Sequence, residues 1–462
     1  MDKNKRLTVW LPVIIAASIA LGIFIGNHYL SISQGKKRSY SSGNKIIDEQ
    51  YVDTVSMSKL VESTIPKIFS ELDPHSVYIP AEDASVVNEE LEGSFSGIGV
   101  SFNMQTDTIL VISVISGGPA EKAGLLPFDR IISINDSIFS GKKKNQGEIM
   151  KTLRGAKNST VKLGVQRGNS PELLYFDVTR GDVPVNSVDV SYEAAKGIGY
   201  IKVSKFARNT YNEFITAIAK LKQAGCTSFV IDLRGNTGGY MDAAINMINE
   251  FMPEGRLIVY TEGKSFPRSD VYANGTGTCK DAPIVVLTDE ISASASEIFS
   301  GAIQDNDRGT IIGRRTYGKG LVQTQMSLSD GSEMRLTIAR YYTPSGRCIQ
   351  KKYEMGNTDA YDQDIYNRYM HGEFDSADSI KMDDSVKYGG IVPDIFIPRD
   401  TSGVTSYYSN VVNSGVLYLY ALEYSDRHRE KLGSFKTWEE LYNYLQQQPL
   451  LSDFVNFAAT KG

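Results

Sequence analysis

Between residues 184 and 345 the chain alternates short β-branched apolar runs with helical stretches, and no other feature limits its fold so strongly. The runs "IGYIKVSKF", "TSFVIDL", "RLIVY", "APIVVLT" and "GTIIG" suit strands of a sheet covered on both faces. Between them, "NEFITAIAKLKQAG", "GYMDAAINMINEFM" and "SASEIFSGAIQDN" carry apolar residues at helical spacing. The implied unit is an α/β core, in which sites gather where strands end and helices begin.

Two such junctions carry candidate chemistry. "IDLRGNTGGYMDAAINM" turns from strand to helix through Gly235, Gly238 and Gly239, and a glycine turn of this kind can aim free N–H groups at an anion. "TDEISASASEIFSG" sets Ser292, Ser294 and Ser296 at alternate positions ahead of a helix. A serine there is most often an N-cap, and spacing alone does not choose among the three. A serine hydroxyl becomes a nucleophile only beside a base. His28, His75, His371 and His428 stand in no strand-end context that suggests a triad; His75, in the turn "DPHSVYIP", is read as a structural hydrogen-bonding residue. A lysine can serve as the base when burial or a cationic neighbour lowers its pKa. "RRTYGKGLVQTQ" supplies Lys319 between Gly318 and Gly320, with Gln323 placed to orient the amine without adding charge.

"GRRTYGKG", residues 313–320, also matches the first part of a phosphate-binding P-loop, G-x-x-x-x-G-K. Such a site needs Ser or Thr after the lysine and a helix beginning there. Gly320 occupies that place, and "LVQTQMSL" alternates like a strand.

Composition closes off other classes. A net charge of −5 with scattered basic residues gives no nucleic-acid surface. Cys226, Cys279 and Cys348 are too few for a disulfide framework or a Cys-rich metal site, though one disulfide is allowed. The histidines show no ligand spacing, so neither a metal nor another cofactor is expected.

At 462 residues the chain should hold two or more domains. After "MDKNKR", residues 7–26 form an uncharged apolar span long enough to cross a bilayer as a helix. The preceding basic residues place the bulk of the chain outside the cytoplasm. No A-x-A site follows, so an uncleaved anchor is expected over a signal peptide, with cleavage left open. Residues 27–44 make a polar linker and 45–90 a helical region. Residues 401–462 are helical, with Tyr and Leu at the spacing of a core or docking face; a homo-oligomer contact stays open.

Residues 91–183 are rich in short strands broken by two short helices, "PAEKAG" and "QGEIMKTLRG". Their order resembles a PDZ domain. In that likeness Gly97, Ile98, Gly99 and Val100 form the loop whose N–H groups hold a chain-terminal carboxylate, and Ile149 and Leu153 line the groove for apolar side chains. The plain alternative is a small β-rich domain whose glycines serve only turns.

"SASASEIFSGAIQDNDRGTIIGRRTYGKGLVQTQ", with "DLRGNTGG", "GYIKVSKF", "YYTPSGRCIQ" and "GGIVPDI", resembles the C-terminal processing peptidases, or tail-specific proteases, over roughly residues 70–395. These are serine endopeptidases with a PDZ domain and a Ser-Lys dyad. The resemblance implies a PDZ-like domain beside an α/β protease core of the ClpP/crotonase type at 184–400. It puts the nucleophile at Ser294, the base at Lys319 and its positioning partner at Gln323. The oxyanion hole falls to Ala295 and the "TGG" turn, with Gly239 favoured, and Ser292 and Ser296 become small neighbours and capping groups. The chain departs from the family pattern at Thr237, where proline is frequent, and by an insertion near 351–388. The implied partners are protein or peptide substrates captured by their C-termini; the membrane enters through residues 7–26, and an activating partner stays open. The implied location is a bacterial envelope, on the periplasmic side of the inner membrane in a Gram-negative cell. A catalytically inactive PDZ scaffold is the alternative, distinguished by whether nucleophile and base coexist.

Overall fold

A sheet of near-continuous apolar strands needs helical crossovers to run parallel, and the chain supplies them. The computed structural model describes residues 46–105, 108–141, 145–168, 170–380 and 389–460. The expected anchor at 7–26 and linker at 27–44 lie outside the described residues, among which no helix is long and apolar enough to cross a membrane.

After a helical stretch at 46–50 come α1 (Met57–Ser70), β1 (Val77–Ile79) and α2 (Ala81–Glu92). The "DPHSVYIP" segment, expected as a turn throughout, thus ends in a short strand. The PDZ-like unit follows: β2 (Ser94–Gly97), β3 (Val100–Gln105), β4 (Thr108–Val114), α3 (Pro119–Ala123), β5 (Arg130–Ile134), β6 (Ser137–Ile138), α4 (Gln146–Leu153), β7 (Thr160–Gln166), β8 (Leu173–Thr179) and β9 (Gly181–Pro184). Strands β3, β4, β5, β7 and β8 pair in that order as an antiparallel sheet, with β6 on β5, while β2 and β9 pair apart. Ile109, Val111, Ile131, Ile149, Leu163 and Val178 are among the side chains that fill its core. Helix α4 starts on a capping box in which Asn145 and Glu148 satisfy each other's N–H groups at 2.9 and 3.1 Å.

The α/β core contains β10 (Val188–Ala195), β11 (Ile198–Val203), α5 (Thr210–Gln223), β12 (Ser228–Asp232), α6 (Met241–Asn249), β13 (Leu257–Glu262), β14 (Ser269–Tyr272), β15 (Ile284–Thr288), α7 (Ala295–Asp305), β16 (Thr310–Gly313), β17 (Leu321–Ser327) and β18 (Glu333–Tyr342). The insertion adds α8 (Thr358–Asp362) and α9 (Asp364–Met370), and β19 (Ile395–Phe396) closes the sheet. The main sheet has the order β10-β11-β12-β15-β16-β19; only the β10–β11 pair is antiparallel. Phe251 sits edge-on to Phe214, Phe229 and Phe299 in its core, with ring centroids 6.2 to 6.4 Å apart.

The run "RLIVY" does not join this sheet. Strand β13 pairs antiparallel with β14 and β18 in a second sheet that also holds β1 and the β17–β18 hairpin. Its apolar residues satisfy either sheet, so composition could not separate the two. Helix after helix follows in the tail, as expected, with Gly415 at φ 71° between Ser406–Asn413 and Val416–Arg427. Cys226, Cys279 and Cys348 are each free and buried, so the allowed disulfide does not form.

Candidate active site

The three alternate serines separate by burial. Ser292 and Ser296 are both 0% exposed, whereas Ser294 keeps access to solvent. Neither buried serine caps the helix, contrary to expectation. The Ser292 hydroxyl donates to the Leu233 carbonyl at 2.8 Å, and that of Ser296 to the Asn236 carbonyl at 2.9 Å. Both therefore lace the serine junction to the glycine turn after β12. Ser294 itself stands at the N-cap of α7 with φ 54° and ψ −112°. A non-glycine residue there costs on the order of 1–3 kcal/mol and persists only where its surroundings over-determine it. Here the Ala293 N–H is held by the Asn236 carbonyl at 2.9 Å and the Ser294 N–H by the Glu297 carboxylate at 2.8 Å. A strained strand-to-helix turn of this kind presents its serine to the cleft.

The glycine turn is pinned by Asn236, which is fully buried. Its amide nitrogen donates to the Val203 carbonyl at 3.0 Å, and its amide oxygen accepts the Gly238 N–H at 2.8 Å. Thr237 in place of proline leaves the turn tied. Of the paired glycines, Gly238 spends its N–H on Asn236, whereas that of Gly239 has no partner among the described residues. Gly239 has φ 140°, and a Cβ there would lie 2.1 Å from the Phe206 carbonyl oxygen, so only glycine fits. The Ala295 N–H, first of α7, likewise has no partner among the described residues and adds the positive end of the helix dipole. Gly239 lines the same cleft as Ser294, and Ala295 follows Ser294 in the chain.

Lys319 lies where the chain enters the β17–β18 hairpin. A strand, not a helix, follows it, which removes the phosphate-loop alternative. Ser294, Lys319, Gln323, Gly238 and Gly239 line one cleft of about 740 Å³, walled by Val87 of α2, Tyr240 and Arg335. Burial holds the Lys319 ammonium below its ordinary pKa, and the Arg335 guanidinium pushes the same way; Glu297 and Asp73 oppose them. Loss of Arg335 should accordingly raise the Lys319 pKa. A lysine base must be neutral, so with Lys319 in the role expected from the sequence, activity should climb as pH rises through that pKa, and in Arg335→Met the climb should begin at higher pH than in wild type. Profiles of kcat against pH would check this; coincident limbs would remove Arg335 from the account.

Glu297 is the residue that sequence reasoning missed. Its carboxylate is fully buried and accepts from the Thr316 hydroxyl at 2.6 Å and from the N–H groups of Gly318 at 2.7 Å, Lys319 at 2.8 Å and Ser294 at 2.8 Å. One carboxylate thus fixes the backbone of both Ser294 and Lys319. Burial pushes its pKa up while the four donors hold it down. The signal was present in "SASE", where Ser294 and Glu297 have capping-box spacing.

Gln323 stands opposite Thr337 in the hairpin, and its amide N–H donates to the His75 carbonyl. Burial, followed by the charge of Lys319, lowers His75 to about 4. It is therefore neutral near pH 7 and adds no charge.

In the PDZ-like unit, Ile98, Gly99 and Val100 face Gln146, Met150 and Leu153 across a groove of about 210 Å³. Two expectations need correction. Ile149 is 0% exposed and belongs to the core of the unit, because α4 is turned so that Gln146 and Met150, with Leu153, meet the groove. Gly97 pairs with Gly181 in the β2–β9 ribbon and lies outside the lining.

Known proteins give matching results. Residues 197–359, which include Ser294 and Lys319, match peptidase family S41, residues 96–188 match the PDZ domain, and residues 407–462 match a family of unknown function. The chain is 35% identical over 311 residues to the carboxy-terminal processing protease CtpB of Bacillus subtilis, covering 67% of this chain and 64% of that protein. The chain thus spans somewhat under two thirds of that relative's length. It is 36% identical over 365 residues to a probable CtpA-like serine protease of Staphylococcus aureus strain N315, covering 76% of this chain and 72% of that one. Among solved structures, the photosystem II D1 C-terminal processing protease aligns at 26% identity with a TM-score of 0.41, over 78% of this chain and 92% of that one.

Proposed function

The chain belongs to peptidase family S41, and on that premise we propose that it is a serine endopeptidase that captures protein C-termini in its PDZ-like groove and cleaves peptide bonds with a Ser294–Lys319 dyad. The observation that carries this reading is a cleft uniting a strained, accessible serine, a half-buried lysine of lowered pKa and the Gly239 N–H, which like that of Ala295 next to the serine has no partner among the described residues. Neutral Lys319 takes the Ser294 proton as the hydroxyl oxygen attacks the scissile carbonyl. The developing oxyanion is held by Gly239 and Ala295, and the same lysine then returns the proton to the leaving amine. Water then hydrolyses the acyl-enzyme ester: Lys319 accepts its proton and passes it to the departing Ser294 oxygen, which restores the hydroxyl and the neutral amine. Gln323 orients the amine. The reading keeps residues 7–26 as a membrane anchor with the catalytic part outside the cytoplasm.

The substrate logic is tested by amidating a peptide's C-terminus, which removes the charge that N–H groups around Gly99 would hold. Paired free-acid and amidated peptides of one sequence should differ in binding and in cleavage rate, the amide being weaker and slower by about tenfold, the size of one lost charge-assisted contact. Equal binding and cleavage would leave the peptidase standing and remove C-terminal capture.

A further inference from the structure

The insertion reaches the base. Tyr361, on α8, is 3% exposed, and its hydroxyl lies 2.8 Å from Nε2 of His75. The same hydroxyl accepts from the Gln350 amide at 3.3 Å. Its ring stands edge-on to His75 at 5.2 Å and to Tyr317 at 6.0 Å. Lys351 places its ammonium over the Tyr317 and Tyr361 rings at 4.1 and 4.0 Å and donates to the Tyr361 carbonyl at 3.1 Å and the Asp364 carboxylate at 3.0 Å. Both flanks of Lys319 are tied to this assembly. The Lys351 N–H donates to the Gly318 carbonyl at 2.8 Å, and the Gly320 N–H to the Gln350 amide oxygen at 2.9 Å.

From the opposite side Asp73 fixes the turn that carries His75. Its carboxylate accepts the N–H groups of His75 and Ser76, each at 3.0 Å, and the Thr337 hydroxyl at 2.9 Å. The imidazole is gripped by Tyr361, and its own main-chain carbonyl takes the Gln323 amide N–H. With that N–H engaged, the amide oxygen is the group Gln323 has left to offer a donor.

We propose that Tyr361 and His75 are positioning residues for the base: the Tyr361 hydroxyl holds the His75 ring, the His75 carbonyl orients the Gln323 amide, and Gln323 keeps Lys319 aimed at Ser294. This rests on the reading of Lys319 as the base, and it makes the insertion part of the catalytic centre. Among the described residues, the charged and titratable groups around Lys319 include Arg335 from β18, Glu297 from α7, Asp73 and His75 from the turn before β1, and Tyr240 and Tyr341 of the cleft, with Lys351 of the insertion behind His75. Burial is the leading cause of the lowered Lys319 pKa, so loosening this packing admits water and raises it.

The test is Tyr361→Phe in the full chain, which keeps the ring and removes the hydroxyl. His75→Ala serves as a second variant, and Ser294→Ala as reference. Two quantities are measured: kcat and KM for a fluorogenic peptide with an apolar free C-terminus across pH, and the pH midpoint of Lys319 acetylation by acetic anhydride, read by mass spectrometry. In Tyr361→Phe kcat near neutral pH should fall by about ten- to a hundredfold, the size of a small misplacement of a reacting group, with KM little changed. The acetylation midpoint should move to higher pH, and the deficit in kcat should narrow as pH rises. A merely structural role would lower thermal stability and leave the midpoint in place. An unmoved midpoint in both variants overturns the proposal, whatever happens to cleavage. If wild type cleaves and Ser294→Ala does not, the peptidase reading stands independently of that result; if wild type does not cleave, that reading fails while the midpoint still decides the role of Tyr361.

Discussion

Ser294→Ala is expected to lower kcat by on the order of 10⁴- to 10⁶-fold, with peptide binding and thermal stability close to wild type. On the proposed mechanism, the size follows from removing the attacking atom while the Gly239 and Ala295 donors remain to polarise a carbonyl. Lys319→Ala should produce a loss of similar order, and the double variant should lose no more than the worse single one, because a nucleophile without its base and a base without its nucleophile fail at the same step. Ser292→Ala makes the contrasting control. Its hydroxyl is fully buried and bonded to the Leu233 carbonyl and Asp289, so its loss should cost stability of about 1 kcal/mol and leave cleavage within a few-fold of wild type. Initial rates on one fluorogenic peptide, with melting curves for each variant, would check all four. Near-normal cleavage by Ser294→Ala would move the nucleophile, and additive losses in the double variant would break the dyad apart.

What could be read before any coordinates follows from how local each signal is. Apolar runs with intervening amphipathic stretches report burial on both faces, which is a property of single segments, so the alternating core was legible. Assignment of "RLIVY" to one sheet or the other depends on its partners β14 and β18, which the segment does not encode. The glycine turn and the serine helix start were visible as junctions, yet their mutual lacing through Ser292 and Ser296 joins residues 59 and 60 positions apart. The PDZ likeness put Ile149 and Leu153 in the groove; Leu153 lines it, while Ile149 is in the core and Met150 stands at the groove instead. That error arises because a short helix has apolar residues on two sides, one for the core and one for the groove. His75 and Tyr361 meet across 286 positions, and nothing local to either turn announces it.

The second large effect is expected at Glu297, which touches no substrate. Its Oε1 accepts the Thr316 hydroxyl and the Gly318 N–H, and its Oε2 accepts the N–H groups of Lys319 and Ser294. Truncation by Glu297→Ala would orphan all four donors in a fully buried place. Each unsatisfied buried donor costs about 1–3 kcal/mol, so the variant should be severely destabilised or fail to accumulate. Glu297→Gln is the more informative change. An amide turned with its nitrogen toward Ser294 and Lys319 would confront two N–H groups; turned the other way it can still donate to Thr316, whose hydroxyl then stops donating, and it leaves the Gly318 N–H unmet. The second orientation should win. It keeps the Oε2 contacts and sacrifices one backbone bond beside the base, so the expected loss of stability is about 1–3 kcal/mol. The catalytic loss should be larger in proportion, about a hundredfold in kcat, since a shift of about 1 Å in Lys319 relative to Ser294 suffices for it. Melting temperature and kcat measured on the same samples separate the two consequences. A Glu297→Gln enzyme that melts lower but turns over at the wild-type rate would show that the carboxylate stabilises the fold without setting the distance between the two catalytic side chains.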